Sequence, residues 1–142
     1  MNNCLFIDTW GWLTLHDRQE SYHQETVNFY RKFLANQGII YTTDYVLDET
    51  FTLFFKRLGS YQAKLSMDLL LNCFNDQRFQ LIFINADRFA ATCKMRVKYS
   101  DKPLISFTDL SSMVVMQELQ ISLVLTGDEH FNQVGMEFIK VP

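Results

Sequence analysis

Short uncharged apolar runs alternate along this chain with longer stretches whose apolar residues recur every three or four positions. The first run, Cys4-Leu5-Phe6-Ile7, carries no charge and stops abruptly at Asp8, which reads as a strand buried on both faces. Gly11 to Leu15 reads as a short turn or helical piece. His16-Asp17-Arg18-Gln19-Glu20-Ser21, the most polar stretch, reads as a loop. From about Tyr22 to Ala35, Val27, Tyr30, Phe33 and Leu34 recur at helical spacing, and Gly38 supplies the stop. Ile39-Ile40-Tyr41 is a second strand. Thr42-Thr43-Asp44 then offers a hydroxyl or carboxylate cap to a helix carrying Val46, Leu47, Phe51, Leu53 and Phe54, which ends at Leu58-Gly59. Ser60 opens another helix, through Leu65, Leu69 and Leu70, to about Phe74.

The second half repeats the alternation. Phe79 to Ile84 predicts a third strand, and Asn85 caps a helix running to about Tyr99. Ser100 to Phe107 is a loop holding Pro103. Ser106-x-x-Asp109 matches a capping box, with Asp in place of Glu, and opens a helix with Met113, Met116 and Leu119 on one side. Ser122 to Thr126 is a strand ending at Gly127-Asp128, and Phe138-Ile139-Lys140-Val141 is a last, short one. No internal repeat, low-complexity segment or linker interrupts the 142 residues, so residues 1–142 read as a single domain. Strands alternating with helices predict an α/β fold, a parallel sheet wrapped by helices.

Composition narrows the class. Apolar residues make up 48% and aromatics 15%, which supplies a packed core and argues against disorder. No run reaches about 18 uncharged apolar residues, and no basic, then hydrophobic, then small-residue signal opens the chain, so the expectation is a cytoplasmic protein with no membrane partner. Cys4, Cys73 and Cys93 are widely spaced and odd in number. They read as buried free thiols rather than as a disulfide framework or a zinc site. The net charge of −3 does not favour generic nucleic-acid affinity. A tight cluster of carboxylates can nevertheless dominate such a total while a basic rim lies beside it.

Four acids stand where such a cluster would form. Asp8 and Asp128 lie just beyond buried strands, and Glu49 and Asp109 lie in the first turns of helices. Open α/β sheets place their ligand crevices outside the carboxyl ends of the strands. If the strand ends share one edge, all four acids converge there. Crowded carboxylates raise one another's pKa and stay ionised only around a cation. An oxygen-only set suits magnesium or manganese, and such ions serve phosphodiester hydrolysis. Singly, each acid has an ordinary role: a loop or cap residue after a strand, a first-turn charge favourable to the helix dipole for Asp109, a solvated face for Glu49 beside Asp48.

The residues around these acids resemble the motifs of the PIN domain family of metal-dependent ribonucleases. Ile7-Asp8-Thr9 is similar to its first motif and Thr43-Asp44-Tyr45-Val46-Leu47-Asp48-Glu49-Thr50 to its second. Ser106-Phe107-Thr108-Asp109-Leu110-Ser111-Ser112 is similar to the third, and Thr126-Gly127-Asp128-Glu129-His130-Phe131 to the fourth. Order and separation span nearly the whole chain and are most similar to compact single-domain toxins of VapC type and their solo relatives.

The resemblance implies a three-layer α/β/α fold with a central parallel sheet of four or five strands. It implies that Asp8, Glu49, Asp109 and Asp128 hold one or two Mg2+ or Mn2+ ions, with Asp8 and Asp109 ligating the principal metal directly and Asp128 and Glu49 completing the site, partly through water. Thr9 and Thr126 would orient the acids by hydrogen bonds. Trp10 and Trp12 depart from the small residues often found there. The implied activity is endonucleolytic hydrolysis of single-stranded or loop phosphodiesters in RNA, leaving a 5′ phosphate. Implied partners are the RNA substrate, a second copy of the chain in a homodimer, and a small antitoxin protein. The apolar helices after Thr43, with Leu53-Phe54-Phe55 and Met67-Leu69-Leu70-Leu71, are wider than one core-facing stripe needs and would form that protein interface.

Positive charge for RNA must come from a local rim: Lys56, Arg57 and Lys102 are candidate phosphate contacts, as are Lys64, Arg96 and Lys98, though each is more often an ordinary solvated charge. Tyr22, Tyr61 or Trp12 could stack on splayed bases. His130 could serve as a general base, though a loop role fits its position better; His16 and His23 have no partner in view. Other readings are a non-catalytic RNA- or protein-binding relative of the same fold, a housekeeping RNA-processing nuclease, or a phosphate-handling α/β domain. All four acids are present, which speaks against the non-catalytic relative. An aspartyl-phosphatase needs Asp-x-Asp where Trp10 stands, and a receiver needs an acid at the end of Phe83-Ile84-Asn85.

Overall fold

The computed structural model describes residues 3–142. The first half of the chain builds β1 (Cys4–Ile7), α1 (Thr9–His16), α2 (His23–Ala35), β2 (Ile39–Thr43), α3 (Asp44–Arg57) and α4 (Ser60–Cys73). The second half builds β3 (Phe79–Ile82), α5 (Ala86–Lys98), α6 (Phe107–Leu119), β4 (Leu123–Leu125), α7 (His130–Gln133) and β5 (Ile139–Val141). The five strands pair in the order β3-β2-β1-β4-β5, and every pair is parallel. Right-handed crossovers put α1 to α4 on one face and α5 to α7 on the other. Within those layers α1 packs on α2 and α3, α3 on α4, α5 on α6, and α6 on α7, while α3 and α6 also touch across the division. This is the three-layer α/β/α arrangement, with five strands.

Strand β1 lies at the centre of the sheet, and Leu5, Phe6 and Ile7 are completely buried. Each such side chain contributes about 1.5–3 kcal/mol of transfer free energy. The chain leaves β1 toward β2 on one side and returns from β3 to β4 on the other, so strand order reverses between β1 and β4. Parallel α/β sheets open a crevice at such a reversal, outside the carboxyl ends of the strands. Asp8 and Asp128 follow those two ends.

Several boundaries differ from expectation for identifiable reasons. Helix α1 begins at Thr9 rather than at Gly11, because Asp8 itself is the N-cap and accepts from the Gly11 N–H at 2.9 Å. A Cβ on Gly11 would come within 2.6 Å of the Leu125 carbonyl oxygen, so the helix can start against β4 only with glycine there. Strand β3 stops at Ile82, two residues early, because the Ile84 N–H donates to Asp44 Oδ1 instead of to a neighbouring strand. The left-handed residue after α2 is Gln37 (φ 63°), not Gly38. Cys4 and Cys73 are half-buried free thiols, but Cys93 is exposed, since its position on α5 faces away from α6 and the sheet. The short helix α7 has no sequence signal of its own.

Candidate metal centre at the sheet edge

Each acid reaches the crevice by a local device. The Asp8 carboxylate is 4% exposed, and both oxygens are engaged: Oδ1 by the Gly11 N–H, Oδ2 by the Thr126 hydroxyl at 2.5 Å. Glu49 lies in the second turn of α3 rather than the first, because the Thr43 cap on the Val46 N–H already starts the helix at Asp44; its Oε1 accepts from the Thr9 hydroxyl at 2.7 Å. Asp128 follows β4; its N–H donates to Thr126 Oγ1 at 3.0 Å, and its Oδ1 accepts from the His130 N–H at 3.0 Å. Thr126 thus bridges the ends of β1 and β4.

Asp109 departs from the local reading. Ser106 caps α6 by accepting from the Asp109 N–H at 3.0 Å, which is half of a capping box. The Asp109 carboxylate turns instead to His130, with Oδ2 3.1 Å from Nδ1. The same nitrogen lies 3.0 Å from Asp128 Oδ2. Asp109, Asp128 and His130 each offer a donor atom, and these all lie within 4.8 Å of one another. That trio, rather than Asp8 with Asp109, is the tightest donor group in the crevice. Asp8 retains free lone pairs on both oxygens and adjoins it.

The electrostatics fit a cation. Burial, then the Asp109 and Asp128 charges, push the Asp8 carboxyl up to about 7, against the lowering effect of the Thr126 and Gly11 hydrogen bonds. Burial also raises Asp109, with Asp128 and Glu49 adding to the effect and His130 opposing it. Asp109 thus links the acids, feeling Asp128 and Glu49 and acting in turn on Asp8. Among the described residues no Lys or Arg nitrogen lies within 4 Å of any of them. Two desolvated carboxylates, Asp8 and Asp109, beside Asp128 and the exposed Glu49, with His130 as the one basic group in contact among the described residues, suit a divalent cation.

The remaining candidates sort by what they touch. Trp12 is buried and donates from Nε1 to Thr42 Oγ1 at 3.1 Å, so it supports the floor and is closed to bases. Trp10 lies flat on Gly127, where a Cβ would come within 2.3 Å of its ring, and Tyr22 stands 6.4 Å away, centroid to centroid. Asp44 ties α3 to the end of β3. Arg96 donates to the carbonyls of Tyr99 (2.9 Å), Lys102 (2.8 Å) and Ile105, which consumes it in holding the loop before α6. Arg57 reaches Glu20 at 3.6 Å, Lys102 reaches Asp101 at 3.1 Å, and Lys56 is exposed. None of those three cations contacts the acids. His16 packs on Phe54, with ring centroids 5.1 Å apart, and His23 Nδ1 lies 2.7 Å from the Thr14 carbonyl. His130, which reads in the sequence as a loop residue, meets both Asp109 and Asp128; its place two residues beyond Asp128 is the signal for it in the sequence.

Comparison with known proteins agrees with this fold. The family model described as the PIN domain matches residues 5–136. A crystal structure of VapC20 from Mycobacterium tuberculosis, described as a toxin cleaving the sarcin-ricin loop, superposes with a TM-score of 0.81 at 24% identity, covering 96% of this chain and 98% of that one. VapBC2 from Rickettsia felis, bound to a DNA fragment from its promoter, superposes with a TM-score of 0.69 at 15% identity, covering 97% of each chain. No curated protein matches the chain by sequence.

Proposed function

The chain belongs to the PIN domain family, and from that premise we propose that it is a metal-dependent endoribonuclease, the toxin of a toxin–antitoxin pair. One observation carries the reading: four acids from β1, α3, α6 and the turn after β4 face one crevice at the strand-order reversal, with no Lys or Arg among them. Asp8, Glu49, Asp109 and Asp128 would hold the cation, Mg2+ or Mn2+. Bound there, such an ion lowers the pKa of water and screens the phosphodiester's charge. The chain's own groups do the orienting. Thr126 and the Gly11 N–H fix the two oxygens of Asp8, Thr9 fixes Glu49, and the His130 N–H fixes Asp128. RNA is the proposed substrate, in keeping with the description of the VapC20 neighbour.

The toxin role is supported by a second surface. Phe55, Tyr61, Leu65, Leu69 and Leu71 on α3 and α4 are exposed although apolar. A groove of about 460 Å3 between α1, α2 and α4 is lined by apolar residues such as Leu15, Val27, Tyr30 and Leu69 and by the charged Arg18 and Arg31. Such faces suit a second copy of the chain and an amphipathic antitoxin helix. Among the described residues no helix is long and apolar enough to cross a membrane.

The test is cleavage of a structured RNA with Mg2+ or Mn2+ by the wild type and Asp8→Asn. The variant is expected to lose cleavage while remaining folded. Full retained activity sinks the assignment.

A further inference from the structure

His130 is wedged between two of the acids. Its Nδ1 lies 3.0 Å from Asp128 Oδ2 and 3.1 Å from Asp109 Oδ2, and its main-chain N–H holds the other oxygen of Asp128. The nitrogen carries at most one proton, so as a donor it fully satisfies only one of those two oxygens. Donors bound cis to one octahedral ion at about 2.1 Å stand about 3 Å apart, which is the spacing seen here on both sides of the ring. Phe131, the next residue, is 1% exposed and anchors α7 beside the acids.

Resting on the metal-dependent reading above, we propose that His130 is a direct nitrogen ligand of the cation held by Asp109 and Asp128, and that it makes the site prefer Mn2+ to Mg2+. Mg2+ takes oxygen ligands and dehydrates reluctantly, so an imidazole adds little to its binding. Transition ions accept imidazole, and Mn2+ also accepts carboxylates at octahedral positions. One nitrogen donor in a PIN-type acid set therefore tips the choice between these two ions toward Mn2+. The other two histidines are engaged elsewhere, His16 on Phe54 and His23 on the Thr14 carbonyl, so a histidine nitrogen at the metal identifies His130.

The experiment adds Mn2+ alone to the metal-stripped full chain. Pulsed EPR reads nitrogen coupling to the Mn2+ spin, with 15N-histidine labelling in a second sample, and calorimetry gives Mn2+ and Mg2+ affinities for the wild type and His130→Gln. The expected result is a histidine nitrogen coupling that vanishes in His130→Gln, with the Mn2+ to Mg2+ affinity ratio falling at least about tenfold, the scale of a lost partner at a metal site. If the variant does not fold, the wild-type spectrum alone decides. Mn2+ bound without histidine coupling, or coupling that survives His130→Gln, overturns the proposal and leaves an all-oxygen nuclease site standing. Failure of the wild type to bind Mn2+ overturns this proposal, and loss of RNA cleavage with every divalent ion would overturn the nuclease reading separately.

Discussion

Replacing Asp8 by Asn removes the most deeply buried charge of the site and gives a stability test independent of activity. In the metal-free chain burial first, then the neighbouring Asp109 and Asp128, lift this carboxyl from 3.8 to about 7. The folded-state pKa is raised, so the folded chain holds the proton more tightly than the unfolded one. That contribution to stability is fully present below pH 3.8, declines as pH rises, and is lost above about pH 7. A rise of about 3 pH units at about 1.36 kcal/mol each amounts to about 4 kcal/mol over the window. An amide of the same shape can accept from the Gly11 N–H and donate to Thr126 Oγ1, and it carries no charge to desolvate. In EDTA, Asp8→Asn is expected to exceed the wild type in stability at pH 8.5 by up to about 4 kcal/mol, with the advantage shrinking toward pH 5. Urea unfolding followed by circular dichroism at the two pH values measures it. A variant no more stable than wild type at pH 8.5 refutes the argument that the ionised Asp8 is a liability the cation offsets.

Other perturbations test the shell around the site. Mn2+ at one hundred times its Kd should raise wild-type stability by about 2.7 kcal/mol, and Asp8→Asn should gain less in the same thermal melt. Gly127→Ala drives a methyl group into the Trp10 ring, so a loss of about 1–3 kcal/mol, a shifted tryptophan emission and weakened RNA cleavage are expected together. Arg96→Ala removes a guanidinium from three loop carbonyls; urea titration should show a loss of about 1.5–3 kcal/mol with Mn2+ affinity unchanged. Trp12→Ala opens a cavity beneath α1 and should cost about 3–5 kcal/mol, seen as a lowered urea midpoint. A thiol reagent should label Cys93 first, because it is exposed, while burial pushes the half-buried Cys73 thiol up and slows it.

Much of the fold was legible because its signals are local. The run Cys4 to Ile7 is apolar throughout and becomes the central strand, and Thr43, Asn85 and Ser106 cap their helices as their positions suggest. These devices depend on residues within one turn of each other. The positions of Asp8 and Asp128 after strands and of Asp109 in the first turn of α6 were legible, whereas Glu49 lies a turn deeper in α3 than its cap suggested. Where local and tertiary demands competed, the chain could not be read. Asp109 sits where a capping box would claim its carboxylate, yet that carboxylate faces His130, 21 residues away. Arg96 reads as a rim cation and is spent on loop carbonyls; Trp12 reads as a stacking surface and is buried.

By itself, then, the sequence determined most of the strands and helices and the caps that open α3, α5 and α6, and it set acids just after β1 and β4 and near the starts of α3 and α6. Only the tertiary structure decided which oxygens meet. It turned Asp109 away from its cap, placed the His130 nitrogen between two carboxylates, and sealed Asp8 from water. Periodicity and capping are set by neighbours along the chain, whereas side-chain direction and desolvation are set by what the sheet and the facing helices bring alongside.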